Sequence, residues 1–146
     1  MFRGRYHHTI DGKGRLSIPA RFREELQTRG TDTLMLAEGD QCIWAFPMDE
    51  WERLEQELER RPQLAPEMRN FLRVSVGSAK ECPVDRAGRA LVPPELREFA
   101  ALKKDIVIVG VLKRFEIWSR ERWDDHYQQL RGSFDENATR LGEMGL

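Results

Sequence analysis

Apolar residues follow two rhythms along this chain, and each rhythm is heard twice. Runs that are apolar at alternate positions, or apolar throughout, mark strands, whereas apolar residues three or four apart mark helices. The strand-like runs in the first half are Tyr6–Ile10, Leu16–Ile18, Thr33–Leu36 and Cys42–Phe46. Their counterparts are Ala79–Val84, Ala90–Val92, Ile106–Val111 and Phe115–Trp118. Helical spacing joins Phe22 to Leu26 and Trp51 to Leu54 and Leu58, then Leu96 to Phe99 and Ala100, and Trp123 to Tyr127 and Leu130. Pro19 and Pro93 stop a strand and stand where a helix begins, where a missing N–H is no loss. Glu38-Gly39-Asp40 and Leu112-Lys113-Arg114 read as hairpin turns. Asp49, with Glu52 three residues on, reads as the cap of the first closing helix, and Ser119 as the cap of the second. Pro66 opens a connector helix bearing Met68, Phe71, Leu72 and Ser75, and the tail beyond Arg131 reads as frayed.

This symmetry has a residue-level origin. Asp11-Gly12-Lys13-Gly14-Arg15-Leu16-Ser17-Ile18-Pro19 recurs as Asp85-Arg86-Ala87-Gly88-Arg89-Ala90-Leu91-Val92-Pro93, at a constant offset of 74. Thr33–Phe46 with Trp51 parallels Ile106–Trp118 with Trp123 at an offset of 72, so the repeat spans whole halves. The expected division is 1–60 for the first half, 61–76 for a helical connector, 77–131 for the second half and 132–146 for a C-terminal tail. Within each half, Asp-x-x-Gly-Arg is a turn, and Gly14 and Gly88 suit the positive φ that such turns require.

A chain of 146 residues with 40% hydrophobic content fits one small domain or two halves sharing a core, and excludes large multidomain enzymes. No apolar run reaches the roughly 20 residues that span a bilayer, and the opening segment lacks a signal peptide's apolar core, so a cytoplasmic location is expected. Cys42 and Cys82 fall outside any paired metal-ligand spacing and read as core residues.

The formal net charge of −1 conceals an uneven distribution. Residues 1–23 carry Arg3, Arg5, Lys13, Arg15, Arg21 and Arg23 against Asp11 alone, a local balance of +5. Residues 38–68 hold nine carboxylates against Arg53, Arg60 and Arg61, a balance of −6, with Glu50 to Glu59 read as a solvated helix face or an oligomer contact. One positive and one negative face are expected, and the positive one suits phosphate.

Two readings stand for Arg15. A guanidinium on a rigid glycine turn can contact phosphate or guanine bidentately, and it can equally pair with Asp11 across the turn. Lys13 would add phosphate charge, while Asp11 caps the turn or orients Arg15, since a carboxylate repels a polyanion. Arg3 and Arg5 either extend the basic strip or are simply solvated; Arg21 and Arg23 either join it or pair with Glu24 and Glu25. His7 and His8, adjacent on a strand, point to opposite faces and make no simple metal pair. Trp51 and Trp123 hold equivalent positions with apolar partners and read as core. Gly-Lys-Gly-Arg lacks Walker spacing, and no nucleophile, base and oxyanion set is in view, so no catalysis, cofactor or metal is expected.

The repeated strand, Asp-x-x-Gly-Arg, strand, proline, helix unit resembles the MraZ family, whose halves look like the AbrB/SpoVT swapped-hairpin barrel. The opening Met1-Phe2-Arg3-Gly4 and the Phe115–Trp118 segment before Trp123 add to the likeness, which covers essentially the whole chain. It implies an α+β fold, a tandem-repeat β-barrel of swapped-hairpin type with short flanking helices. It also implies a nucleoid-associated transcriptional repressor of the division and cell-wall gene cluster, assembled as a homo-oligomeric ring on short direct repeats of double-stranded DNA. The family's Asp-x-x-x-Arg pair falls on Asp11/Arg15 and Asp85/Arg89, so the expected DNA-binding residues are Arg15, Lys13, Gly14, Arg89, Arg86 and Arg3, with Asp11 and Asp85 orienting the turns. Arg86-Ala87 replaces Gly12-Lys13 in the second copy, so the first turn is expected to dominate. The rival reading is a protein-interaction scaffold or antitoxin-like subunit without direct DNA readout.

Overall fold

The repeat appears in the element order of a computed structural model that describes residues 1–146. The first half runs β1 (Phe2–Thr9), β2 (Arg15–Ser17), α1 (Ala20–Thr28), β3 (Thr33–Glu38), β4 (Ile43–Pro47) and α2 (Met48–Arg60). After α3 (Pro66–Phe71) and a π-helical turn over Leu72–Val76, the second half repeats it. There β5 (Lys80–Pro83), β6 (Arg89–Leu91), α4 (Pro94–Phe99), β7 (Asp105–Leu112), β8 (Phe115–Ser119) and α5 (Arg120–Gly132) lead into α6 (Phe134–Glu143). No helix is long and apolar enough to cross a membrane.

Strand pairing crosses between the halves. The six-stranded sheet has the order β1-β7-β8-β4-β3-β5, which maps onto itself when the halves are exchanged. Thus β1 lies against β7, β5 against β3, and β4 against β8 at the centre, all antiparallel. The short β2 and β6 pair with each other as a separate ribbon. Each arm of an Asp-x-x-Gly-Arg turn touches its own partner arm through one bridge only, Ile10 to Leu16 and Val84 to Ala90. Those two bridges connect the ribbon to the outer strands of the sheet, so the enclosure is barrel-like without being continuously hydrogen-bonded.

The interior explains the interlocking. A single cluster of 19 buried residues takes ten, from Phe2 to Ala45, from the first half and nine, from Cys82 to Ile117, from the second. Neither half could enclose it alone. Phe2, Phe22 and Phe115 meet in its middle with ring centroids 5.0–5.3 Å apart, each burying a large apolar surface. Trp51 seals a smaller cluster under α2, and Trp118 with Trp123 one under α5, as core tryptophans should. Cys42 and Cys82 are free and buried, and burial pushes both thiols up, that of Cys82 to about 11.

Several local expectations change. Asp49 does not cap α2, which starts after Pro47 without a side-chain cap. Its carboxylate instead meets Arg29 at 3.0 Å. Glu50 does not belong to a solvated face: it is only 6% exposed and bonds to Arg29 and Arg53 at 3.2 and 2.7 Å. Ser119 does cap α5, accepting from the Arg122 amide at 3.1 Å. Leu130, although at helical spacing from the buried Trp123, is exposed. The tail is helical rather than frayed, because Asp135 and Glu136 sit at the positive end of α6 and Glu136 pairs with Arg140 one turn on. Phe134 and Leu141 on that helix, and Met144 at its C-terminal cap, are exposed.

Candidate nucleic-acid interface

Asp11 organises the first turn. Its Oδ1 accepts from the amides of Lys13 (3.0 Å) and Arg15 (2.9 Å), and its Oδ2 accepts from Arg15 Nε at 2.7 Å. Gly14, at φ +90°, closes the loop by donating its amide to the Asp11 carbonyl at 3.0 Å. The Arg15 amide, followed by the Arg15 side chain and the Lys13 amide, holds the Asp11 carboxyl down at about 2, so it stays ionised. Asp11 therefore caps the turn and orients Arg15 together. Arg15 spends only Nε on this contact, which leaves its terminal nitrogens uncommitted, with the side chain 40% exposed.

The second turn has the same plan with fewer bonds. The Arg89 amide donates to Asp85 Oδ1 at 2.9 Å and keeps that carboxyl below its ordinary range. Arg89 Nε, however, stands 3.4 Å from Asp85 Oδ2 and has no hydrogen bond. Gly88 adopts φ +78°.

Ribbon register places the two arginines relative to each other. Arg15 lies opposite Leu91, Leu16 opposite Ala90, and Ser17 opposite Arg89. Residues directly opposite share a face, so Arg15, Leu91, Ser17 and Arg89 all point one way while Leu16 and Ala90 point into the core. Arg15 and Arg89 are diagonal neighbours on that outer face, with α-carbons roughly 7–8 Å apart. Lys13 and Arg86 are exposed at the two turn tips, whereas Gly14 is buried and supplies backbone conformation only. Arg3 is not brought to this surface: it sits near the start of β1, roughly 25 Å of strand from Asp11.

Other expected participants are engaged elsewhere. Arg5 stacks over Tyr127 at 4.8 Å and Trp123 at 5.9 Å, and a hydrogen bond from it lowers the Tyr127 phenol. Arg23 does not pair with Glu24 or Glu25; its Nε donates to the Ile18 carbonyl at 3.2 Å. His8 donates to the Ser17 carbonyl at 2.8 Å and His7 meets Arg120, so the two histidines have separate partners.

Two cations at the first turn escaped the sequence reading. Lys103 and Lys104 line a surface cavity of about 470 Å³ with Asp11, Gly12 and Arg97, and the Ile10 amide donates to the Lys104 carbonyl at 2.9 Å. Their repeat equivalents beside the second turn are Thr31 and Asp32, where Val84 donates to the Asp32 carbonyl at 2.7 Å. Carrying the offset of 72 back through residues 103 and 104 would have exposed this difference in charge.

Two interlocked α+β halves, each presenting an Asp-x-x-Gly-Arg turn beside a shared two-stranded ribbon, define a fold of the swapped-hairpin class without a closed barrel. Comparison with known proteins agrees: residues 1–74 and 76–143 each match the family described as MraZ protein, antitoxin-like. A protein named "Transcriptional regulator MraZ" from Desulfitobacterium hafniense (strain Y51) is 47% identical over 146 residues, covering 100% of both chains. Proteins of the same name from Moorella thermoacetica and Syntrophobacter fumaroxidans are 45% and 42% identical, the first over all of both chains and the second over 99% of this chain and 97% of its own. The chain belongs to the MraZ family.

Proposed function

We propose that this protein is a transcriptional regulator, a repressor that binds double-stranded DNA through the outer face of the β2–β6 ribbon and its two turns. The observation that carries the reading is the register placing Arg15 and Arg89 on one exposed face, over a buried Leu16 and Ala90 that keep the ribbon stiff. Arg15 reaches phosphate or a guanine edge with its free terminal nitrogens, Lys13 and Arg86 add phosphate contacts, and Asp11 and Asp85 hold the geometry. Lys104, beside a Lys103 whose ammonium pairs with Glu121 at 3.4 Å, favours the first turn as the stronger one. The relatives' shared name supports the regulatory role.

One weak site per subunit suits an assembly, in which neighbouring copies meet successive direct repeats as a ring and gain avidity. The exposed apolar side chains of α6 are suited to self-association. In this reading the protein is cytoplasmic and nucleoid-associated, acts on the division and cell-wall gene cluster, and Arg3 contributes only through an adjoining copy.

The test is Arg15→Ala, measured by gel shift across a salt series on a duplex selected from random DNA by the wild-type protein. Affinity should fall and the slope of log affinity against log salt should become shallower by about one, with thermal unfolding unchanged. Unchanged affinity removes Arg15 from the interface. Shifting one repeat by half a helical turn, about 5 bp, should also weaken binding; indifference to spacing rejects the ring.

A further inference from the structure

We infer that Arg23 and Arg97 are positioning residues that brace the two arginine turns crosswise, each steadying the turn of the opposite half. The consequence for affinity rests on the DNA-binding reading; the bracing itself does not. Both residues lie one turn into a short helix, Arg23 on α1 and Arg97 on α4, and they occupy the same place in the repeat.

The contact at the first turn is a closed clasp. Val92, from the second half, donates its amide to the Gly14 carbonyl at 2.8 Å. Its own carbonyl accepts from Arg97 Nε at 3.1 Å. The Arg97 guanidinium in turn lies against the bare α-carbon of Gly14: a methyl group there would stand 2.7 Å from Nε and 2.8 Å from Cζ. The second turn repeats the clasp with the halves exchanged. Ile18 donates to the Gly88 carbonyl at 2.8 Å, Arg23 Nε donates to the Ile18 carbonyl at 3.2 Å, and a methyl group on Gly88 would stand 2.6 Å from Arg23 Nη1.

Glycine at these positions thus serves two needs, a positive φ and a surface flat enough to seat a guanidinium plane. Such a clasp fixes the backbone from which Arg15 or Arg89 projects, and so removes ordering cost at the moment of binding. It also separates roles among the arginines. Arg15 projects outward from its own turn, whereas Arg97 reaches the turn from the opposite half, with Nε on the Val92 carbonyl and one face of its guanidinium against the Gly14 α-carbon.

The experiment compares Arg97→Ala and Arg23→Ala in two measurements. In amide hydrogen exchange of the free protein, Arg97→Ala should speed the Gly14 and Arg15 amides on the order of fivefold, the loss of about one hydrogen bond, with Gly88 and Arg89 unchanged. Arg23→Ala should do the reverse. On a duplex selected from random DNA by the wild-type chain, Arg97→Ala should cost about three- to tenfold in affinity with no change in salt slope. That loss should vanish in an Arg15→Ala background and persist in an Arg89→Ala background. Arg97→Lys keeps the charge without the Nε donor or the plane, so it should show the same crossed pattern, and it carries the comparison if the alanine variant does not fold.

A shallower salt slope would make Arg97 a phosphate contact and overturn the inference. Equal loosening of both turns, full rescue by lysine, or no change in exchange would overturn it as well. If the wild-type chain selects no duplex, the DNA-binding reading fails while the exchange experiment still decides the brace.

Discussion

Replacing Gly14 by alanine perturbs the first turn in two ways that can be added up. At φ +90° an L-residue is strained, at a cost of about 1–2 kcal/mol. The new methyl group would also stand 2.7 Å from Arg97 Nε and 2.9 Å from the Val92 carbonyl oxygen, which is backbone and cannot swing aside. Displacing Arg97 from Val92 removes a hydrogen bond worth about 1 kcal/mol. Against this, alanine restricts the unfolded chain and returns about 0.5–1 kcal/mol. The net is a loss of about 2 kcal/mol, or about 6 °C in Tm for a chain of this size. At Gly88 the three atoms nearest the methyl group all belong to the flexible Arg23 side chain, whose hydrogen bond to the Ile18 carbonyl would be lost in the same way, so about 1–2 kcal/mol is expected there. Gly12 has nothing within 4 Å, and alanine there should fall within about 0.5 kcal/mol of the parent. Urea denaturation followed by circular dichroism gives the order Gly14, then Gly88, then Gly12. Equal midpoints for the Gly14 and Gly12 variants would refute the clasp geometry, and a larger loss at Gly88 would refute the weight given to the Val92 backbone.

Three further outcomes follow from the same geometry. Arg29→Ala strips Glu50, Asp49 and Glu25 of a shared partner and should cost about 3 kcal/mol in denaturation, near the low end for a broken buried pair because Arg53 still reaches Glu50. Adding Glu50→Gln should recover part of that loss, and no recovery would mean the charge was never the problem. Ala101 closes α4 at φ +53°, so Ala101→Gly should raise stability by up to about 1 kcal/mol, checked by Tm; a fall would deny the strain. Asp11 has a native carboxyl lowered from 3.8 to about 2, so the ionised form's stabilisation is complete above pH 3.8 and disappears as pH falls through about 2. Its side-chain NMR shift should therefore titrate near 2, and a midpoint at the ordinary value would mean the turn's hydrogen bonds are not formed in solution.

Features that depend on neighbours in the chain were legible beforehand. Asp11, Gly14 and Arg15 interact within four residues, so their spacing alone specifies a capped turn with a projecting guanidinium, and the offset of 74 announces its copy. The amphipathic helices and the buried tryptophans follow from periodicity for the same local reason. Some local signals still misled. Asp49 had the spacing of a cap, but Arg29, twenty residues earlier, offered its carboxylate a charged partner.

Pairing between strands carries no such local mark, because alternating side chains pack equally well on either half's hairpin. Only the assembled core, which needs residues from both halves to close, selects β1 against β7 and β2 against β6. That choice puts Arg15 and Arg89 on one face, leaves Arg3 at the far end of β1, and lays Arg97 over Gly14, 83 residues away in the chain. The amino-acid order by itself determined the turns, their chemistry and their duplication, since these are settled by contacts of short range. Where the turns stand relative to each other, and which arginine steadies which, was decided by tertiary structure, because burying a shared core is a long-range condition that no single segment can satisfy.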